Sequence, residues 1–164
     1  MEHGISALQC GQKQRISHQA YALIQSTIGS LPAESGGVIA CDNKNQIVDF
    51  YYDHDAGSGK GRYVPSTRMI AEHVNGEWHE KGYHVCGFVH SHPTYGTCQP
   101  SSADILYADA ILKANGLKTM LLIILCNGKY QCYRLHADRS GAEHISQIGL
   151  FVYDEKESNC LQCL

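Results

Sequence analysis

The chain has 164 residues, 43% of them hydrophobic and 18% charged, with a formal net charge of −3. These values describe a folded globular chain of single-domain length and exclude an intrinsically disordered one. No basic run offers the concentrated positive face that phosphate backbones require, and no apolar run reaches the length of a bilayer, so neither nucleic acid nor membrane is an expected partner.

Taken in chain order, Ile16, Ala20, Leu23, Ile24 and Ile28 recur at helical spacing, which predicts an amphipathic helix over 13–29. "GGVIA" (36–40) and "IVDFYY" (47–52), separated by turn-rich "CDNKNQ", predict a β-hairpin. Glycine-rich "DHDAGSGKG" (53–61) reads as a loop, and Pro65 and Ser66 open a second helix running to about residue 81. Trp78 on that helix is expected to pack. "YHVCGFVHSH" (83–92) is a strand closed by Pro93, and residues 94–100 form a loop before a third helix over 102–115. "KTMLLIILC" (118–126) is apolar without alternation, as a central strand covered on both faces should be. "NG" (127–128) turns it into "KYQCYRLH" (129–136). The pattern beyond residue 136 is weakly determined, and 137–164 is left as a C-terminal extension to a core of about 13–136 within one domain. The expected class is α+β, or mixed α/β, with a single central mixed β-sheet flanked by helices.

His90 and His92 lie two apart at a strand end, so both imidazoles project from one face. Asp104 falls in the first turn of the helix that follows. A catalytic zinc takes three nitrogen or oxygen ligands and keeps a fourth position open, and these three residues supply that number. Glu34, beside the first strand of the hairpin, is a candidate proton carrier. Each residue also has a plainer reading. Ser101 and Asp104 fit a helix capping box, a His-x-His pair can be exposed strand chemistry, and Glu34 can be a solvated loop carboxylate. Capping and metal binding can coexist at Asp104.

Glu34 with Ser35, Gly36 and Gly37, then His90-Ser91-His92-Pro93, then Ser101-x-x-Asp104, resembles the JAMM (MPN+) metalloprotease signature, most closely that of the stand-alone prokaryotic members. The loop "HPTYGTC" is similar to the His-Pro-Gly-Tyr-Gly-Cys of eukaryotic deubiquitinases. The resemblance spans roughly residues 16–136 by order of elements. The stretch between His92 and Ser101 is one residue longer than the family's usual loop, a surface change that bears on substrate fit more than on the metal site.

The resemblance implies an MPN, cytidine-deaminase-like fold and one Zn2+ per chain held by His90, His92 and Asp104. It implies Glu34 as general base, taking a proton from the water the zinc activates and passing it to the leaving amine, and Ser101 as a donor to the tetrahedral oxyanion. Ser91, on the opposite face, is structural. The implied activity is a peptidase or isopeptidase acting after the C-terminal tail of ubiquitin or a ubiquitin-like protein, the tail adding as a strand along an exposed sheet edge. Two alternatives stay open: a metallohydrolase for a smaller amide on a sulfur-carrier-like tail, and a non-catalytic MPN-type binding module. The sequence also leaves open an activating partner or a homo-oligomer.

The remaining signals are minor. "GSGK" (57–60) lacks the residues of a phosphate loop, since Gly61 follows Lys60 and His54 stands where a glycine is needed. "DHD" (53–55) reads as a charged turn. With no secretory signal visible at the start of the sequence, the chain is expected in the cytoplasm and its eight cysteines as reduced thiols. Cys86, Cys126 and Cys132 are then small core residues, Cys98 is a loop thiol, and Cys160 and Cys163 lie in a solvated tail.

Overall fold

The computed structural model describes residues 12–59, 62–139 and 144–154. The elements in chain order are β1 (Lys13–Ser17), α1 (His18–Ser26), β2 (Gly36–Cys41), β3 (Ile47–Tyr52), β4 (Gly57–Gly59), β5 (Arg62–Val64) and α2 (Thr67–His73). A π-helical turn (Val74–Trp78) prolongs α2, and β6 (His84–Ser91), α3 (Ser102–Ala114), β7 (Thr119–Cys126), β8 (Lys129–His136) and β9 (Ile145–Tyr153) complete the fold. Among the described residues no helix is long and apolar enough to cross a membrane.

One mixed sheet runs β1-β3-β2-β6-β7-β8-β9, with β4 and β5 forming a separate two-stranded ribbon. The sheet closes because β1 pairs with β9 over five residues and with β3 at Ile16 opposite Ile47, both in parallel. The β6–β7 pair is also parallel, joined by α3 as crossover, while β2–β3 and β7–β8 are the antiparallel hairpins read from the sequence. Asn127 and Gly128 both take positive φ in the second hairpin, as the "NG" turn requires.

The strand period of two separates two cores. On β7, Leu121, Ile123 and Leu125 join Ala20, Ile24 and Ile28 from the first helical region. Met120, Leu122 and Ile124 face the other way, onto Ala108 and Leu112 of α3 and onto Trp78. This two-sided burial is why residues 119–126 show no polar alternation.

The first predicted helix is divided. Ser17 is an N-cap, its hydroxyl accepting from the Ala20 N–H at 3.1 Å, so Lys13–Ser17 is a strand and the helix starts only at His18. Ile16 is buried, but from a strand, and Leu23 is 38% exposed. The helical spacing from 16 to 28 therefore joined two elements across a cap. The second predicted helix likewise contains the π-helical turn, which sets Trp78 fully inside the core with its indole N–H donating to Asp49 Oδ2 at 3.0 Å. The loop predicted over 53–61 contains β4. Residues 145–153, weakly determined by pattern, form the strand that receives β1.

Candidate metal centre

Strand β6 delivers His90 and, one residue past its end, His92. The His92 N–H still donates to the Leu125 carbonyl at 2.8 Å, extending the parallel ladder before Pro93 stops it. The imidazole Nε2 atoms of His90 and His92 stand 3.0 Å apart. Asp104 reaches both: Oδ1 lies 3.2 Å from His90 Nε2 and Oδ2 lies 3.4 Å from His92 Nε2. His90 is 4% exposed at the side chain, so this donor cluster looks into the molecule rather than into bulk water.

Asp104 is also the third residue of α3 and half of a capping box. The Ser101 hydroxyl accepts from the Asp104 N–H at 3.2 Å, and the Ser101 N–H donates to Asp104 Oδ2 at 2.7 Å. Capping and histidine contact thus coexist, because the cap uses the same carboxylate that faces the imidazoles. Burial alone would raise the Asp104 pKa, but the hydrogen bonds of His90 and His92 and the charge of His90 outweigh it and hold the carboxyl well below the usual range. In return the Asp104 hydrogen bond, against burial and with help from the Thr97 carbonyl, raises the His92 pKa.

His92 Nδ1 lies 2.8 Å from the Thr97 carbonyl, to which it donates. With Nδ1 carrying that proton, the neutral imidazole has its Nε2 lone pair available for a cation placed among His90, His92 and Asp104. Thr97 was invisible to sequence reasoning because a backbone carbonyl carries no residue signature.

Glu34 is brought alongside by the β2–β6 pairing, which sets Gly36 opposite His90. The two glycines after Glu34 are sterically required. A Cβ at Gly36 would stand 2.9 Å from His90 Cβ and 3.0 Å from Tyr63 Cγ, and one at Gly37 would stand 2.1 Å from the Tyr51 carbonyl oxygen. Glu34 Oε2 accepts from the Tyr63 N–H at 3.2 Å. The Tyr63 ring lies nearly parallel to that of His90, centroids 6.1 Å apart, and burial pushes its hydroxyl far above the phenol range, with the Asp53 charge adding. Ser91 points away from the cluster and exchanges hydrogen bonds with the Ser35 backbone, in keeping with its structural reading.

Glu34, His90, His92, Ser101 and Asp104 all line one cavity of about 510 Å³, whose remaining wall is mostly apolar, including Val64, Phe88, Tyr107 and Leu122. His90, His92 and Asp104 offer ligand atoms all within 4.8 Å of one another. Tetrahedral coordination with bonds of about 2.0–2.1 Å separates ligand atoms by about 3.3 Å, so the observed spacings of 3.0, 3.2 and 3.4 Å suit a small divalent ion. A second group, Asp49, His73 and Glu77, has comparable spacing. There Lys81 pairs with both carboxylates and Trp78 donates to Asp49, so its charge is already compensated.

The expectation of reduced thiols fails for Cys98 and Cys126. Cys98 is disulfide-bonded to Cys126 at the end of β7, with Cα atoms 5.2 Å apart. The two lie 28 residues apart on a loop and a buried strand, and only the parallel placement of β7 beside β6 brings them together. Cys41, Cys86 and Cys132 are free. Cys160 and Cys163 lie outside the described residues.

Comparison with known proteins follows this geometry. A search of curated proteins finds no match. Among solved structures, the solution structure of protein DSY2949 from Desulfitobacterium hafniense is similar over 88% of this chain and 94% of that one, at 14% identity and a TM-score of 0.63. The crystal structure of AF2198, a JAB1/MPN domain protein from Archaeoglobus fulgidus, covers 87% of this chain and all of its own, at 17% identity and a TM-score of 0.47. The family model for prokaryotic homologs of the JAB domain matches residues 17–136, the stretch that carries every residue of the cluster. On that match the chain belongs to the prokaryotic JAB-domain branch of the JAMM/MPN family.

Proposed function

We propose that the chain is a zinc-dependent peptidase or isopeptidase that hydrolyses the amide bond following the C-terminal tail of ubiquitin or a ubiquitin-like protein. The observation that carries this reading is the convergence of two imidazoles and one carboxylate at 3.0–3.4 Å with Glu34 and Ser101 on the wall of the same cavity. Non-catalytic members of such a fold have no need of that donor set.

His90, His92 and Asp104 would hold the metal. The chemistry such an ion would supply there is a water acidic near pH 7 and Lewis-acid polarisation of the scissile carbonyl. Glu34 accepts a proton from the attacking water and delivers it to the leaving amine. The Ser101 hydroxyl, at the cavity wall, donates to the oxygen on which negative charge develops. The apolar wall of Val64, Phe88 and Leu122 excludes water from these groups and so strengthens each electrostatic contact.

The substrate assignment is supported by where free strand edges remain. Closure removes edges from the main sheet, while the β4–β5 ribbon stands apart with Tyr63 and Val64 at the cavity. An extended tail can pair along that ribbon and lead its last residues to the metal. The test is Glu34→Gln. The variant should retain one zinc per chain while losing hydrolysis of a ubiquitin-like tail fused to a reporter; turnover at the wild-type rate would remove Glu34 from the mechanism.

A further inference from the structure

Asp53 is 2% exposed, and neither the cores nor the chemistry above uses it. The sequence suggests a charged turn there, yet its carboxylate points inward. Its backbone N–H donates to the Gly36 carbonyl at 3.1 Å, fastening it to the strand that begins two residues after Glu34. Its Oδ2 accepts from the Tyr63 hydroxyl at 3.1 Å and from the Ser66 N–H at 2.7 Å. Its Oδ1 has no hydrogen-bond partner among the described residues. Tyr63 then returns to the start, since its N–H holds Glu34 Oε2. The contacts form a ring: Glu34, Gly36, Asp53, Tyr63 and back to Glu34.

Burying a carboxylate with one oxygen unsatisfied is unfavourable relative to water, so the fold keeps Asp53 against a stability cost. Charge-assisted hydrogen bonds are about twice as strong as neutral ones, and here both are donated to Asp53 by one segment, residues 63–66. That segment carries the N–H on Glu34 and the ring beside His90. A glutamate has three side-chain torsions, and fixing one oxygen removes most of that freedom before substrate arrives.

We propose that Asp53 and Tyr63 are positioning residues for Glu34: Asp53 clamps the 63–66 segment to β2 so that the Tyr63 amide aims the Glu34 carboxylate. The proposal rests on the reading of Glu34 as the base, and its consequence is specific. Weakening the clamp lowers kcat by more than it raises KM and leaves zinc content in place, because Asp53 is neither one of the grouped metal donors nor on the cavity wall.

The test combines kinetics with the Tyr63 amide, followed by NMR and hydrogen exchange on the full chain. Asp53→Ala should speed Tyr63 amide exchange by about tenfold or more as the local hydrogen bond opens. It should also lower kcat by about 10- to 100-fold with a smaller rise in KM, the scale of a small misplacement of a catalytic group. Asp53→Asn keeps an acceptor for both donors and should recover most of the loss in both readouts. Tyr63→Phe removes only the hydroxyl and should change both in the same direction by less; it keeps the question decidable if Asp53→Ala does not fold. Glu34→Gln should move the Tyr63 amide resonance without changing the contacts of Asp53. Wild-type Tyr63 exchange in both Asp53→Ala and Tyr63→Phe would overturn the proposal, as would a kcat loss that merely tracks the unfolded fraction. A wild-type chain that hydrolyses nothing defeats the hydrolase reading alone, and the amide measurement still decides whether Asp53 holds the Glu34 contact.

Discussion

Ser101 caps α3 and, in the proposed mechanism, also serves the chemistry, and one pair of substitutions can separate the two. Its hydroxyl accepts the Asp104 N–H at 3.2 Å as the N-cap of α3, and in the proposed mechanism the same group donates to the developing oxyanion. Ser101→Ala removes both, and loss of such a cap costs about 0.5–2 kcal/mol. At about 2–4 °C per kcal/mol for a chain of this size, that is a fall in Tm of roughly 1–8 °C. Ser101→Gly costs only a few tenths of a kcal/mol, since glycine is a tolerated N-cap, and so leaves Tm nearly unmoved. Both variants lack the donor, and removal of one oxyanion donor lowers kcat by about 10²–10³. Thermal unfolding followed by circular dichroism gives the first quantity, and cleavage of a tail-fused reporter gives the second. The expected pattern is two unequal Tm values with two equal losses of kcat. If activity instead follows Tm, with Ser101→Gly close to wild type, Ser101 serves the helix and has no part in the chemistry.

Gly36→Ala should cost about 1–3 kcal/mol and lower zinc affinity, because the new methyl group meets both His90 and Tyr63; elemental analysis with denaturant unfolding checks this. Leu112→Ala, at a fully buried position on α3, should lower stability by about 2–5 kcal/mol while zinc stoichiometry in the folded fraction is unchanged. Cys126→Ala opens the disulfide that ties the loop carrying Thr97 to β7, and should lower stability by about 2–4 kcal/mol, measured against the wild type under oxidising conditions. Burial pushes the Cys132 thiol up to about 12, so native protein should not be alkylated there at neutral pH, whereas unfolded protein is labelled fully; mass spectrometry of iodoacetamide adducts reads the difference.

The grouping of His90, His92 and Asp104 was legible because its parts obey local periodicities. Two histidines two apart on a strand share a face, and a Ser-x-x-Asp at a helix start sets the carboxylate in the first turn, whatever the rest of the chain does. The hairpins at 36–52 and 119–136 were legible for a similar reason, since strand alternation and turn chemistry act over a few residues. The error at 13–29 has the opposite origin. Ile16 falls on the helical period of Ala20 and Ile24, but it is buried by pairing with distant β3 and β9, a contact no local pattern contains.

The sequence by itself determined which residues could bind a cation, the helix that presents Asp104, and the strands that form the two hairpins. Tertiary structure alone decided that β2 lies beside β6, which brings Glu34 to the histidines, and that β7 lies beside β6, which joins Cys98 to Cys126. It alone turned Asp53 inward onto Tyr63. Backbone periodicity fixes the direction of a side chain, but which segments meet is set by burial summed over the whole sheet, and that sum has no local signature.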